Sequence, residues 1–217
     1  MEYSLLAVDL DGTLLNKEQE IDFESIEAIQ KFCARGGKVV ICSGRSPLST
    51  RWVAETIGLT DPIIAYNGAV IQTNHGEMKQ LSSFDNKAVS TLLEFCLSYG
   101  VYAHFYEGNS ILVPEENRWN NQWVEKNILS LNETGGNPIN CKKYREQCSV
   151  KLIPDLTSYI TETQPKISKI AVFHEKGNLL EFSKKLARLS KDYEISSSLD
   201  YVNLEISPFG VKSFIFN

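Results

Sequence analysis

The sequence predicts an α/β protein built on a parallel, doubly wound sheet, and three observations lead there. Short apolar runs at Leu5–Val8, Lys38–Cys42 and 62–65 have the length of buried strands rather than of helices. Two segments of helical periodicity separate them, so that strand and helix alternate in the order that favours parallel pairing. Right-handed crossovers then place the carboxyl end of every strand on one edge, where open α/β sheets bind their ligands.

Leu5–Val8, four consecutive apolar residues, reads as a strand buried on both faces. The helix at 23–35 carries Ile26, Ile29 and Cys33 on one side and stops at Gly36-Gly37. After Lys38–Cys42, Ser46-Pro47 supplies an N-cap and a first-turn proline. The helix they open turns Leu48, Trp52, Val53 and Ile57 inward and ends at Gly58. The third strand, 62–65, runs into Tyr66-Asn67-Gly68-Ala69.

From about residue 83 the pattern changes to mixed strands and helices. A helix at 85–99 precedes an alternating strand at 101–106. A Gly108-Asn109 turn and the strand Ser110–Val113 complete a hairpin. Helical patterns recur at 115–131 and 178–190, separated from one another by a loop at 132–140 and further strands at Ile167–Phe173; two more strands follow at Tyr193–Ser197 and 201–206. Tyr102, His104 and Tyr106 share one face of their strand, a surface suited to a sugar or ring or simply to covering the sheet. Trp119 and Trp123, one helical turn apart, read as packing residues.

With 217 residues the chain suffices for one large domain or two small ones. A net charge of −5 and a pI near 5.3 give no general attraction to nucleic acid or to an anionic membrane. Five cysteines without regular spacing argue against a disulfide framework, and neither Cys33/Cys42 nor Cys141/Cys148 has zinc-knuckle spacing. No apolar run is long enough for a signal peptide or a membrane span, so a reducing cytoplasm is expected.

The chemistry concentrates after the first strand, at Asp9-Leu10-Asp11-Gly12. Alternation along an extended backbone would project Asp9 and Asp11 to the same side, and Gly12 permits a tight turn that brings backbone N–H groups near. Two carboxylates so placed suit phosphoryl transfer, one as nucleophile and the other as proton carrier. Their mutual repulsion calls for a divalent cation, and Mg²⁺ accepts carboxylate, carbonyl, water and phosphate oxygens. A plain Asp-Gly turn after a strand is the alternative without chemistry. A calcium loop is excluded because its sixth position is Leu14 rather than glycine.

The stretch Asp9-Leu10-Asp11-Gly12-Thr13-Leu14-Leu15 resembles the first motif of the haloacid dehalogenase superfamily of phosphatases. The resemblance implies Asp9 as nucleophile and Asp11 as general acid/base, with Mg²⁺ held by the Asp9 carboxylate and the Asp11 main-chain carbonyl. Ser43-Gly44-Arg45, by itself an ordinary strand-to-helix turn, resembles the second motif in this position, with Ser43 and the Gly44 N–H as phosphate donors. Asn67-Gly68-Ala69 is similar to a turn of the Cof-type branch, which implies Arg45 and Asn67 near the phosphate or substrate; local capping is the other role open to them. The mixed segment resembles the large α/β cap of Cof-type enzymes, a lid that closes over the site and brings specificity groups to the leaving group.

That resemblance divides the chain into a core at 1–82, a cap at 83–207 and a return to the core at 208–217. It departs from the family after Val211: Lys212 comes one place early, no helix follows it, and the Gly-Asp and Asn-Asp pair of the fourth motif is absent. The tail resembles the product of a frameshift or premature stop. The expectation is a Mg²⁺-dependent phosphatase of small phosphorylated metabolites, acting through an aspartyl phosphate, with Lys212 a poorly ordered phosphate ligand and activity impaired. Its rivals are a phosphosugar mutase on the same scaffold and a non-catalytic remnant.

Overall fold

The structure, a computed structural model, describes residues 3–16, 20–120, 149–174, 179–189, 193–197 and 203–210. These divide between Leu81 and Ser82 into two compact units. In the first, β1 (Leu5–Val8), β2 (Lys38–Cys42) and β3 (Ile63–Ala65) pair in parallel in the order of the sequence. The helices α1 (Phe23–Ala34) and α2 (Pro47–Thr56) connect them. Ser46 caps α2 by accepting a hydrogen bond from the Ser49 N–H at 3.2 Å, with Pro47 in the first turn, as the sequence indicates. Gly36, at φ +85°, lets the chain leave α1 in the left-handed region.

Two differences from the sequence reading stand out. The sheet continues beyond β3 through β4 (Val70–Gln72) and β5 (Met78–Gln80), both antiparallel, to give the order β1-β2-β3-β4-β5. Three-residue strands carry too little periodicity to announce themselves, and Asn74 and Gly76, the latter at φ +84°, are the turn signals between them. The expectation that Leu5–Val8 is buried on both faces is not met. Among the described residues β1 pairs with β2 alone, and Leu5 is 59% and Leu6 40% exposed. An apolar run reports a tendency to be covered, and a strand at a sheet edge leaves that tendency unsatisfied. The core of this unit lies instead among Leu10, Leu15, Val39, Ile41, Val53 and Ile63.

The second unit is a six-stranded sheet of order β10-β11-β9-β6-β7-β8. Its strands are β6 (Tyr102–Glu107), β7 (Ser110–Val113), β8 (Ser149–Leu152), β9 (Ile167–Phe173), β10 (Tyr193–Ser197) and β11 (Asn203–Pro208). All pairs are antiparallel except β7 with β8. Helices α3 (Asn86–Ser98), α4 (Leu156–Thr163) and α5 (Leu180–Leu186) supply Leu92, Ile160 and Leu186 to one apolar core. Asp85 and Asp155 cap α3 and α4 through their carboxylates. Ala103, Phe105, Ile170, Val172, Leu204 and Ile206 belong to that core, so the intervening residues of β6, β9 and β11 line the opposite face. β8 and α4 have no counterpart in the sequence reading, and 115–120 is turn and loop rather than the start of a helix. There Asn117 accepts from the Trp119 N–H and Asn120 donates to Tyr102, local side-chain bonds that compete with helix formation. Trp123, the rest of 115–131, the loop at 132–140, Cys141, Cys148 and Lys212 lie outside the described residues.

Candidate active site

Three loops at the carboxyl ends of β1, β2 and β3 form the candidate site. β1 ends at Val8, so Asp9 follows the strand directly and Asp11 lies in the turn beyond it. The Leu14 and Leu15 N–H groups donate to the carbonyls of Asp9 and Leu10, at 3.3 and 2.8 Å, winding residues 10–15 into a compact turn. Strand alternation therefore does not reach Asp11 as the sequence reading supposed. Gly12 takes φ +73° in this turn, a conformation costly for any residue with a Cβ. The Asp9 carboxylate is exposed and forms no ion pair among the described residues. Its charge is nonetheless felt nearby: burial first, and Asp9 second, push the Cys42 thiol above its usual range, which keeps that thiol protonated and unreactive.

Ser43 follows β2 and is buried. Its N–H donates to the Ile64 carbonyl, its carbonyl accepts from the Asn67 N–H at 3.1 Å, and its hydroxyl accepts from the Arg45 N–H at 3.2 Å. The Tyr66 N–H donates to the Arg45 carbonyl at 3.0 Å, so the second loop is laced to the third. Gly44 sits between these anchors, half-buried. Arg45 reaches back to the first loop, its Nε and Nη2 donating to the two oxygens of Asp11 at 2.9 and 2.5 Å. The pairing is bidentate, the geometry by which a guanidinium also grips phosphate. Asp9, Asp11, Gly12, Ser43, Gly44, Arg45 and Asn67 thus fall within one connected set of loops.

Two features of this set were not legible beforehand. One is the Arg45–Asp11 pair, which joins residues 34 positions apart. The other is backbone strain: Tyr66 and Asn67, neither a glycine, both take positive φ, 50° and 57°. Asparagine tolerates the left-handed region, but a buried tyrosine there costs on the order of 1–3 kcal/mol, and such strain concentrates at functional sites. The dipeptide Asn67-Gly68 was the available signal, and it points to a turn without giving its conformation.

Oxygen donors here suit a hard cation. The exposed Asp9 carboxylate and the Asp11 main-chain carbonyl are available donors of the right kind, and Mg²⁺ ordinarily keeps several waters and phosphate oxygens besides. Among the described residues no group of three or more His, Cys, Asp or Glu side chains is placed to hold a metal. The donor set therefore fits Mg²⁺ with water and ligand oxygens completing the shell, and does not fit an all-protein cage.

A match to the family model of haloacid dehalogenase-like hydrolases spans residues 6–212. The chain belongs to that family. Its hydrolase relatives include phosphatase YwpJ of Bacillus subtilis, 31% identical over 52% of this chain and 40% of the relative. Another is the 5-amino-6-(5-phospho-D-ribitylamino)uracil phosphatase YwtE of the same organism, 34% identical over 50% of this chain and 37% of the relative. The matched stretch thus spans about two fifths of the length of these curated relatives. A haloacid dehalogenase-like hydrolase from Bacteroides thetaiotaomicron has the same fold, with a TM-score of 0.74 and 23% identity over 98% of this chain and 74% of that one. Among the described residues no helix is long and apolar enough to cross a membrane.

In the second unit, Tyr102, His104 and Tyr106 do share one face, opposite the helices. The Tyr102 hydroxyl accepts from Asn120 Nδ2 at 2.6 Å, and burial pushes its pKa up to about 12. Trp119 stacks on Phe173 at 5.2 Å, a packing role. His104 is 4% exposed; its Nδ1 lies 3.4 Å from the Tyr106 hydroxyl and its Nε2 has no partner.

Proposed function

We propose that the chain is a Mg²⁺-dependent phosphatase of small phosphomonoesters that works through an aspartyl phosphate. The observation that carries this reading is the meeting of the Asp9–Asp11, Ser43–Arg45 and Tyr66–Asn67 loops at the ends of three parallel strands in a chain of this family. One Asp9 oxygen attacks phosphorus; the bond from phosphorus to the ester oxygen breaks, and that oxygen takes a proton from the Asp11 carboxyl group. Water then gives a proton to the Asp11 carboxylate and attacks phosphorus, the bond to Asp9 breaks, and inorganic phosphate leaves. Ser43, the Gly44 N–H and Arg45 hold the phosphoryl oxygens, and Asn67 lies at their margin. When bound, Mg²⁺ neutralises phosphoryl charge, with Asp9 and the Asp11 carbonyl as its protein ligands.

The Arg45–Asp11 pair adds a step. An incoming phosphate monoanion that takes the Arg45 Nε and Nη2 donors frees the Asp11 carboxylate, which accepts the phosphate's proton and then passes it to the ester oxygen. The acid/base group starts engaged with Arg45, which slows turnover. The first unit is the catalytic core and the second a cap that sets specificity; the ribityl phosphate in the name of the B. subtilis relative is of the substrate class, small and polyhydroxylated, that suits this role. The free thiols of Cys33, Cys42 and Cys96 suit a reducing cytoplasm.

Purified chain should release phosphate from sugar phosphates with added Mg²⁺, stop in excess chelator, and lose turnover by roughly 10³-fold or more in Asp9→Asn. Hydrolysis that persists in chelator, or an Asp9→Asn variant as active as the parent, would overturn the metal and the nucleophile.

A further inference from the structure

Arg51, in the second turn of α2, is half-buried, and its four hydrogen bonds among the described residues all go to uncharged oxygens. Nη1 donates to the Asp61 carbonyl at 2.9 Å. Nη2 donates to the carbonyls of Gln72 and Thr73, each at 3.2 Å, and Nε to Gln72 Oε1 at 3.4 Å. Asp61 precedes β3, Thr73 follows β4, and Ile63 stands opposite Gln72 in the ladder. The guanidinium therefore closes the open end of the β3–β4 hairpin. The Asp61 carboxylate is engaged elsewhere, with the Val39 N–H at 3.2 Å and Lys38 at 3.4 Å.

The closed end of that hairpin carries Tyr66 and Asn67, at φ 50° and 57°. Positive φ at two residues that are not glycine persists only where the surroundings over-determine the backbone. At this tip the Tyr66 N–H donates to the Arg45 carbonyl and the Asn67 N–H to the Ser43 carbonyl. Both acceptors lie in the loop that leads into α2, the helix that carries Arg51. The hairpin is thus held at both ends by one helix and its leading loop, with the ends about three residues, roughly 10 Å, apart. Apolar packing alone would fasten α2 to the sheet, and Val53 and Ala54 supply it. Arg51 adds direction, because its planar fork holds acceptors on both sides of the hairpin at fixed angles.

We infer that Arg51 is a positioning residue: by clamping the base of the β3–β4 hairpin it fixes the strained turn that presents Asn67 and steadies the Arg45 main chain beside the phosphate. It acts through the two strands and makes no bond to the three loops of the site. Strands of three residues resist twisting little by themselves. Without the clamp their twist is free to change, the turn relaxes towards ordinary φ, and the bonds from Tyr66 and Asn67 to the second loop loosen. What the turn binds rests on the phosphatase reading; the clamp itself rests on the hairpin and α2 alone.

The test compares Arg51→Met, which keeps the apolar stem and removes the fork, with Arg51→Lys, which keeps the charge. Native-state amide exchange in the intact chain should quicken at Tyr66 and Asn67 by roughly tenfold or more in Arg51→Met, with the β2 amides of Val40 and Ile41 unchanged. With a sugar phosphate and Mg²⁺, KM should rise roughly tenfold and kcat stay within about threefold, because the turn holds phosphate and does not carry the nucleophile. Arg51→Lys should fall between parent and Arg51→Met in both readouts, and it carries the same test if Arg51→Met does not fold. Faster exchange spread equally over β2 would make Arg51 a general stabiliser and overturn the inference. Unchanged exchange at the turn would overturn it too, as would an unchanged KM in a variant whose turn has loosened. A parent that hydrolyses no sugar phosphate overturns the phosphatase reading instead, and exchange at Tyr66 and Asn67 then decides the clamp by itself.

Discussion

Acid should weaken the second unit through one residue. His104 is folded neutral, its pKa held at about 3 by burial and by Lys169, whereas an unfolded histidine titrates near 6.5. Below pH ~6.5 the unfolded chain therefore binds a proton that the folded chain refuses, and stability falls as pH falls toward the folded value. The contribution is fully present above pH ~7.5; between there and pH ~5 about 2 kcal/mol is lost, and by pH ~3 the loss reaches about 4 kcal/mol. Lys169 and Glu205 face the same ring neighbourhood. His104→Phe removes the titration and the orphaned Nε2 while keeping a ring of similar shape. It should match or exceed the parent at neutral pH and lose only what the carboxylates cost on acidification. Native-state hydrogen exchange of β6 and β9 amides, corrected for intrinsic rates, reads this unit without requiring the whole chain to unfold in two states. Equal acid sensitivity in parent and His104→Phe would refute the reasoning.

Three further outcomes follow from the first unit. Arg45→Gln removes a charge-assisted, bidentate donor and should lower kcat/KM by about 2 kcal/mol, roughly 30-fold and mainly through KM; an unchanged KM would remove Arg45 from phosphate binding. Gly12→Ala should cost about 1–2 kcal/mol in urea denaturation, through backbone strain alone, since a Cβ there meets nothing within 4 Å. With Leu5 and Leu6 exposed on a strand paired along one edge among the described residues, the chain should self-associate with rising concentration in sedimentation; Leu5→Lys should reduce this, and a parent that stays monomeric contradicts it.

What could be read beforehand follows a physical line. β2, α2 and β9 were legible within a residue or so because length, caps and apolar runs agreed there. β4 and β5 were not, since three residues show no period, and β8 and α4 escaped for want of a marked pattern. Leu5–Val8 was recognised as a strand, yet its exposure depends on which neighbours the sheet supplies and not on its own composition. The places of Asp9 and Ser43 were legible because each directly follows a strand, and that of Asn67 because the third strand runs into its turn. The Arg45–Asp11 pair and the Lys169–Glu205 pair were not, because they join residues 34 and 36 positions apart and exist only once the sheets have formed.

The most direct test of the central claim is to trap the intermediate on the nucleophile. Chain mixed with a sugar phosphate and Mg²⁺, quenched and treated with borohydride, should yield homoserine at position 9 in peptide mass spectrometry, the reduction product of an aspartyl phosphate. Omission of substrate or of Mg²⁺ should prevent its formation. Phosphate release with an unreduced Asp9, or reduction at another aspartate, would contradict the proposal that Asp9 carries the phosphoryl group.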